Sequence, residues 1–404
     1  MLERVIKKEI QDALKISPAV LVAGARQIGK STIVCEFDKR DYIVMDDITQ
    51  LDSALSDPQG YIQRVNKPVT IDEIQKAPKL LTPIKLYIDK NRKNGEFLLT
   101  GSANVLNLKK ADESLAGRLI ELTMYPFSAK EKNRDVSTNI IDMLFDKPIN
   151  SIKYNKKMCK LLPKFIVEGG YPLSFLLQNA KDRNMWFNSY ISTYIERDIR
   201  AIGELRDIDN FIRFFNILTP RSANILNKSN IANDTKLNSA TVENYISLLE
   251  KVYQIHLLKP YYENIGKTFI KSPKVYLTDS GMLAHILNIR SEKDLENSRY
   301  RGDLYETFVF SELLKHITYS KSVVEFYYYR TQDKKEIDFI IQKGENILAI
   351  EIKSEHSVTK SDFKHIVDFQ KRSQKNIIGI VFYSGEEIVS FGEYLFALPL
   401  GILL

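Results

Sequence analysis

Residues 19–31 read AVLVAGARQIGKS, and TIVCEF follows at 32–37. The five apolar residues predict a short buried strand of a parallel sheet. The next residues have the spacing G-x-x-x-x-G-K-S between that strand and a helix start, which is the context of a phosphate-binding loop. Backbone N–H groups of such a loop bind phosphate oxygens, Lys30 reaches the β- and γ-phosphates, and Ser31 completes a Mg²⁺ shell. We predict a nucleotide site lined by Gly24, Ala25, Arg26, Gln27, Ile28, Gly29, Lys30, Ser31 and Thr32.

A second apolar segment ends in two acids. Residues 68–74 read PVTIDEI, which predicts a buried strand with Asp72 and Glu73 at its end. In a nucleotide-hydrolysing domain Asp72 holds magnesium through water, and Glu73 polarises the attacking water. The other interpretation is a strand that ends in a solvated acidic turn. Beside the phosphate-binding loop, the acidic pair favours hydrolysis over nucleotide binding alone.

Two more segments bear on this site. Residues 96–102, EFLLTGS, predict a strand beside the acidic one, with Thr100 or Ser102 near the γ-phosphate; the alternative is an ordinary strand-to-turn junction. Arg118 precedes a further strand at 119–124. It either reaches the nucleotide of a neighbouring subunit and stabilises transition-state charge, or is a helix C-terminal cation favoured by the helix dipole.

The middle of the chain is predicted to be helical and then to form a winged helix. Residues 158–218 have helical patterns with a break at Gly169–Pro172, and Arg197 is either a nucleotide sensor or part of a solvated ion pair. Asn238 is a good N-cap for a helix with the core stripe Val242, Ile246, Leu249 and Val252. Its opposite face carries Ser239, Thr241, Asn244 and Lys251, and the hairpin that follows carries Lys267 and Lys271. This order suits DNA contacts, but winged helices also dock proteins.

The last hundred residues carry acids and a lysine in the pattern of a metal-dependent nuclease. Glu306 lies on a predicted helix, Asp338 on one strand of a predicted hairpin, and Glu351 and Lys353 on the same face of the next strand. Together they are predicted to bind Mg²⁺ and to orient or deprotonate water for phosphodiester attack. The alternatives are a solvated strand face, or a fold that binds nucleic acid without cutting it.

Composition narrows the class of protein. The 404 residues carry 58 basic and 51 acidic side chains, and 23 basic and 17 acidic ones fall within residues 136–300. The length predicts several domains, and two cysteines exclude a disulfide framework or a four-thiolate zinc site. The longest apolar run is too short to cross a bilayer. We expect a cytoplasmic protein without a membrane partner.

The chain resembles the AAA-fold ATPases, related to the archaeal ATPase group, that carry a C-terminal PD-(D/E)xK nuclease-like domain. The resemblance rests on GARQIGKS at 24–31, VTIDEI at 69–74, LLTGSA at 98–103, LAGRL at 115–119, YPFSAKE at 125–131, GGYP at 169–172, YIERDI at 194–199, SPKVYLTDSGM at 272–282, YETFVFSEL at 305–313, EIDF at 336–339 and EIKS at 351–354. It implies an α/β fold with a P-loop ATPase core (1–135), a helical lid (136–218), a winged helix (219–299) and a restriction-endonuclease-like α/β domain (300–404).

These observations lead to one expected function and two alternatives. The expected function is Mg²⁺-dependent ATP binding and hydrolysis, with DNA bound through the winged-helix and nuclease-like domains and with assembly into a homo-oligomer left open. One alternative is an ATP-regulated DNA nuclease that uses Asp338, Glu351 and Lys353. The other is a signalling or docking ATPase with a protein partner.

Overall fold

A parallel sheet forms the first part of the chain. The computed structural model describes residues 2–102, 115, 117–195, 208–262 and 272–404. The strand order is β2-β3-β4-β1-β5, and all neighbouring strands are parallel. The strands are β1 (Ala19–Ala23), β2 (Asp41–Val44), β3 (Val69–Asp72), β4 (Phe97–Gly101) and β5 (Leu119–Thr123). All residues of β1, β3 and β4 are buried, as expected for strands covered on both faces.

Helices cover this sheet. They are α1 (Ile6–Ile16), α2 (Lys30–Val34), α3 (Ile48–Ser56), α4 (Pro58–Arg64) and α5 (Leu81–Lys90). Ile6, Ile10 and Ala13 form the buried stripe of α1 at helical spacing. Helix α2 starts directly after the glycine-rich loop, so the loop joins the end of β1 to a helix N-terminus, as predicted.

A run of short helices follows the sheet. They are α6 (Ala129–Lys132), α7 (Ile140–Asp146), α8 (Lys156–Cys159), α9 (Leu162–Glu168), α10 (Pro172–Leu176) and α11 (Ala180–Tyr190). The predicted break at Gly169–Pro172 is present, because α9 ends at Glu168 and Pro172 is the first residue of α10. Proline is tolerated there since the first helical N–H needs no intrahelical partner.

Three helices and a small antiparallel sheet form the next module. They are α12 (Ile208–Leu218), β6 (Asn224–Ile225), α13 (Lys228–Thr235), α14 (Ser239–Lys251), β7 (Ile255–Leu258) and β8 (Lys274–Leu277), and the sheet order is β6-β8-β7. Asn238 caps α14 by accepting from the Thr241 N–H at 2.8 Å. The predicted core residues Val242, Ile246 and Leu249 are buried. Helices α15 (Ser280–Ile286) and α16 (Glu292–Glu296) follow.

The C-terminal part is a mixed sheet of order β13-β14-β12-β11-β10-β9. Its elements are α17 (Arg301–Thr318), β9 (Glu325–Arg330), β10 (Glu336–Lys343), β11 (Asn346–Lys353), α18 (Lys364–Arg372), β12 (Asn376–Tyr383), β13 (Val389–Gly392) and β14 (Leu395–Pro399). Strand β11 pairs antiparallel with β10 and parallel with β12. The largest apolar core runs from Ile6 to Leu404 and joins all these parts. None of the described helices combines the length and apolarity that a membrane crossing needs.

Candidate nucleotide site and C-terminal carboxyl cluster

The glycine-rich loop is shaped by close packing. A Cβ on Gly24 would lie 2.2 Å from the Met124 carbonyl oxygen, and Gly29 has a φ of +95°. Both positions therefore exclude other residues. Lys30 is buried, and its Nζ donates to the carbonyl oxygens of Gly24 (3.0 Å) and Ala25 (2.7 Å). The ammonium is thus held inside the loop that the sequence predicts to bind phosphate.

Residues far away in sequence hold the outer side of the loop. Arg4 donates to the Ile28 carbonyl oxygen at 2.9 Å. From α11, Trp186 donates to Gln27 Oε1 at 3.1 Å, and Tyr190 donates to the Arg26 carbonyl oxygen at 3.3 Å. Sequence reasoning missed Arg4, Trp186 and Tyr190, because no local pattern links them to the loop.

Asp72 lies at the end of β3 in a network of hydroxyl groups. Its carboxylate is buried and accepts hydrogen bonds from Thr100 and, at 2.6 Å, from the Tyr42 hydroxyl. Burial and the hydrogen bond to Asp72 raise the pKa of Tyr42, so the phenol stays a donor at neutral pH. Strand β4 lies between β1 and β3, and Ala23 pairs with Gly101. Asp72 and the loop therefore lie at the same edge of the sheet.

Glu73 follows in a left-handed conformation with a φ of +59°. Its N–H donates to Thr100 Oγ1 at 3.0 Å, and its carboxylate accepts from the Gln75 amide. Gln75 also donates to Ser102 Oγ at 2.9 Å. The structure thus brings Asp72, Glu73 and Ser102 together through Thr100 and Gln75. Gln75 was not singled out from the sequence.

Arg118 lies at the opposite edge of the sheet. Its carbonyl oxygen accepts from the Ala19 N–H, at the start of β1, whereas the loop follows the end of β1. Five residues of strand, about 17 Å, separate the two edges. The guanidinium donates to Asp89 at 2.5 Å within the same chain. Arg118 therefore does not serve the nucleotide site of its own chain. Three other basic candidates, Arg197, Lys267 and Lys271, lie outside the described residues.

The predicted residues of the C-terminal part also converge. The register of β10 and β11 pairs Phe339 with Ile350, which places Asp338 opposite Glu351. Asp338 Oδ2 accepts from the Ile352 N–H at 2.8 Å. The charge of Lys353 acts on both carboxyls. The predicted group of two acids and a lysine is therefore assembled.

Lys274, from β8 of the preceding module, enters this cluster. Its Nζ lies 2.9 Å from Glu306 Oε1, 2.5 Å from Glu336 Oε1 and 3.7 Å from Asp338 Oδ1. The Tyr276 hydroxyl donates to Glu306 Oε1 at 2.6 Å. Lys274, Tyr276 and Glu336 were not predicted as site residues, although Lys274 and Tyr276 share one face of β8 by the period of two.

Within the described ranges, no group of three or more His, Cys, Asp or Glu side chains is arranged so that it would hold a metal ion. The C-terminal carboxyls of Glu306, Glu336 and Asp338 lie within 4 Å of the Lys274 Nζ. Their oxygen atoms face the ammonium of Lys274.

Three parts of the chain match known families. Residues 17–133 match a family described as an AAA domain. Residues 159–293 and 301–403 match two families described as domains of unknown function, DUF8612 and DUF4143.

Relatives and solved structures resemble most of the chain. An uncharacterized protein of Mycobacterium tuberculosis is 28% identical over 403 residues, which cover 96% of this chain and 82% of that protein. An uncharacterized protein of Haemophilus influenzae is 24% identical over 421 residues, with coverages of 96% and 94%. A Walker-type ATPase of Pyrococcus abyssi has 15% identity and a TM-score of 0.41, with 71% of this chain and 96% of that chain covered.

The family match and the geometry agree for the first part of the chain. The matched AAA range contains the parallel five-stranded sheet, the glycine-rich loop after β1 and the acidic pair after β3. Residues 17–133 therefore match an AAA domain and have the parallel sheet and glycine-rich loop of the P-loop ATPase fold.

Proposed function

We propose that the chain binds ATP together with Mg²⁺ at the loop Gly24–Ser31 and hydrolyses its γ-phosphate. The main support for this proposal is that the loop and the acidic pair Asp72–Glu73 lie close together in the fold. Both lie at the carboxyl edge of one parallel sheet, joined through β4. Ligands of open α/β sheets bind at this edge.

Lys30 supplies the main positive charge for the phosphates. Its Nζ now donates to two carbonyl oxygens of the loop, and both bonds are replaced when phosphate oxygens enter. A charge-assisted bond to phosphate is stronger than a bond to a neutral carbonyl, so the exchange favours the bound state. The backbone N–H groups from Ala25 to Thr32 and the hydroxyls of Ser31 and Thr32 complete the nucleotide contacts.

The residues present fit a magnesium ion. Each oxygen of Asp72 accepts one protein hydrogen bond and keeps a lone pair for a metal-bound water. The Ser31 hydroxyl is the other protein group that would hold the ion. When bound, Mg²⁺ supplies positive charge that neutralises the phosphate oxygens.

Glu73 is the proposed general base. Its carboxylate accepts the proton of the attacking water, and Gln75 fixes its orientation by bonding both Glu73 and Ser102. We assign to Ser102 the role of orienting the γ-phosphate or the water, because Gln75 links its hydroxyl to Glu73. The backbone of Glu73 is held in its strained conformation by the bond from its N–H to Thr100.

The test of this proposal is ATP binding by Lys30→Ala, measured by calorimetry with Mg²⁺. Because a hydrogen bond to a charged group contributes about 1.5–3 kcal/mol, the affinity should fall by roughly 10- to 100-fold. The control is Lys39→Ala, an exposed lysine just beyond the loop, which should bind as the parent does. Equal ATP affinities of Lys30→Ala and the parent would refute the assignment of the loop.

A second proposal concerns the module of α12 to β8, which we infer to bind DNA through α14. Three helices followed by an antiparallel hairpin support it, as does the exposure of Ser239 and Asn244 near the start of α14. Lys228 pairs with Glu243, an acid of α14, at 2.6 Å. Polar side chains at the N-terminal end of such a helix suit contacts to phosphates and base edges.

The DNA proposal is tested by duplex binding at several salt concentrations. Phosphate contacts release counterions, so log K should fall linearly with log salt, by about 0.9 per contact. Ser239→Asp and Asn244→Asp should each weaken binding by about 5-fold or more, since a carboxylate there repels phosphate. Asn91→Asp, exposed on the ATPase domain, is the control. Absence of DNA binding together with capture of a defined protein would favour the docking function.

A further inference from the structure

Lys274 is a buried ammonium surrounded by carboxyl groups of the C-terminal part. Only 2% of its side chain is exposed. Three acids from two elements lie within 4 Å: Glu306 on α17, and Glu336 and Asp338 on β10. A lysine is seldom buried this completely without such partners, so its position is specified by the cluster.

Several carboxylate oxygens of the cluster already accept from protein groups, and the Lys274 ammonium occupies the position between three of the acids. Glu306 Oε1 accepts from both Lys274 and Tyr276. Glu336 binds Lys274 with one oxygen and Arg330, at 2.7 Å, with the other. Asp338 Oδ2 is taken by the Ile352 N–H. Since Mg²⁺ requires a near-octahedral shell of oxygens and usually keeps several waters, these residues do not fit a metal ion while Lys274 is in place.

The charges of the cluster balance without a metal. Lys274, Lys353 and Arg330 face four carboxyls, which leaves one negative charge in excess. Burial raises the pKa of Glu306 to about 7. Burial and the nearby Asp338 raise the pKa of Glu351 strongly, and its Oε1 is buried without a hydrogen-bond partner. The fixed charges around Lys274 thus cancel to within one unit without a metal.

We infer that the C-terminal carboxyl cluster, formed by Glu306, Glu336, Asp338 and Glu351, holds the Lys274 ammonium as its resident cation in place of a divalent metal. This ion pair connects β8 to the C-terminal sheet. The cluster is then a structural joint and not a hydrolytic centre. The inference does not depend on the proposed ATPase function, because no residue of the nucleotide site takes part.

Hydrogen bonds near Lys274 also connect the hairpin of β7 and β8 to the C-terminal sheet. Beyond β7, the Tyr261 N–H donates to the Tyr328 carbonyl oxygen at 2.6 Å, and the Tyr328 N–H donates to the Lys259 carbonyl oxygen at 3.1 Å. The Tyr328 hydroxyl donates to the Ser272 carbonyl oxygen. Both strands of the hairpin therefore attach to β9 or β10.

The first experiment measures Mn²⁺ binding by electron paramagnetic resonance, with the full-length, nucleotide-free protein and its Asp338→Asn variant. We expect the same number of bound ions in both, because no ion sits at the cluster. One bound ion in the parent that is lost in Asp338→Asn would overturn the inference. This comparison needs no variant of Lys274 and so remains decisive if that variant fails to fold.

The second experiment removes the ammonium with Lys274→Met and follows thermal unfolding. Removing one partner of a buried ion pair should lower the melting temperature by about 5 °C or more at pH 8. Without Lys274 the buried acids have raised pKa values in the folded state, so the folded variant binds more protons than the unfolded one. The difference in melting temperature between the parent and Lys274→Met should therefore become smaller as the pH falls to 6.

The control for this experiment is Lys364→Met, an exposed lysine of α18, which should melt as the parent does at both pH values. Mn²⁺ should raise the melting temperature of Lys274→Met by more than that of the parent, because only the variant has a vacant cluster. A Lys274→Met protein that melts as the parent does at pH 8 would contradict the resident-cation assignment.

Discussion

At the scale of single residues, Thr100 joins the two acids of the candidate nucleotide site. Its hydroxyl donates to Asp72, and its oxygen accepts from the Glu73 N–H at 3.0 Å. The side chain is completely buried. One hydroxyl thus fixes both the proposed magnesium-side carboxylate and the backbone of the proposed base, so its loss should disturb catalysis more than nucleotide binding.

We predict that Thr100→Val lowers kcat for ATP by about 10-fold, because the misplaced catalytic groups should raise the activation free energy by about 1.4 kcal/mol. KM should change less, because Lys30 and the loop are untouched. Thr100→Ser keeps the hydroxyl and should stay within about 3-fold of the parent. Steady-state kinetics of the three proteins test this, and parent-like turnover of Thr100→Val would exclude the role.

The sequence was sufficient for residues whose spacing is local. The loop Gly24–Ser31 and the acidic pair each occupy one short segment, so their positions at the ends of β1 and β3 could be predicted without a fold. Tyr42 and Gln75 were not predictable, because their contacts depend on β2, β3 and β4 lying side by side. Lys274 was missed for the same reason, since its partners lie 32 to 64 residues further along.

At the scale of elements, α11 lies against the outer side of the phosphate-binding loop. Trp186 bonds the Gln27 side chain, and Tyr190 bonds the Arg26 carbonyl oxygen. Tyr190 also contacts Tyr171 at 3.1 Å and Gln254 at 3.2 Å. Hydrogen bonds therefore link the loop to α11 and, through Gln254, to the module of α12 to β8.

This contact predicts an optical signal. Trp186 is the chain's single tryptophan, and its indole N–H bonds a loop side chain. ATP binding should shift its emission maximum or intensity, and Lys30→Ala should abolish the change at the same ATP concentration. A fluorescence titration tests this. An unchanged spectrum in protein that calorimetry shows to be saturated with ATP would contradict the coupling.

At the scale of the whole molecule, four of the sequence motifs meet at one buried polar junction. Glu312 accepts from the Ala129 N–H at 2.8 Å, and Lys315 donates to the Phe127 carbonyl oxygen at 3.0 Å. Asp279 accepts from the Gly170 N–H at 2.7 Å. Residues that connect the parts of the chain therefore lie in four of the motifs, YPFSAKE, GGYP, SPKVYLTDSGM and YETFVFSEL. The sequences of these motifs alone did not indicate this connecting role.

Disrupting this junction should destabilise the entire chain. Glu312→Ala leaves the Ala129 N–H without its acceptor and the buried Lys315 ammonium without its carboxylate partner, which costs about 3 kcal/mol. Because one apolar core runs through all parts, the loss should appear as a shift of the main unfolding transition in urea. Glu345→Ala, at an exposed turn, is the control. An unchanged midpoint for Glu312→Ala would show that the junction contributes little.

Assembly determines whether Arg118 has a catalytic role. It lies at the edge of the sheet away from its own loop, so a role in hydrolysis requires a second subunit. We predict that mixing Arg118→Ala, which keeps its nucleotide site, with Glu73→Gln, which keeps its arginine, gives more ATPase activity than the sum of the separate proteins. A rate equal to the sum of the two separate rates would indicate that Arg118 acts only through its ion pair with Asp89.

The central claim is that the domain hydrolyses ATP with Glu73 as the base, and the rate of phosphate release by Glu73→Gln tests it most directly. Measured at saturating ATP and Mg²⁺, the rate should fall by about 10²- to 10⁴-fold, while calorimetry finds parent-like ATP affinity. Phosphate release at the parent rate would contradict the account.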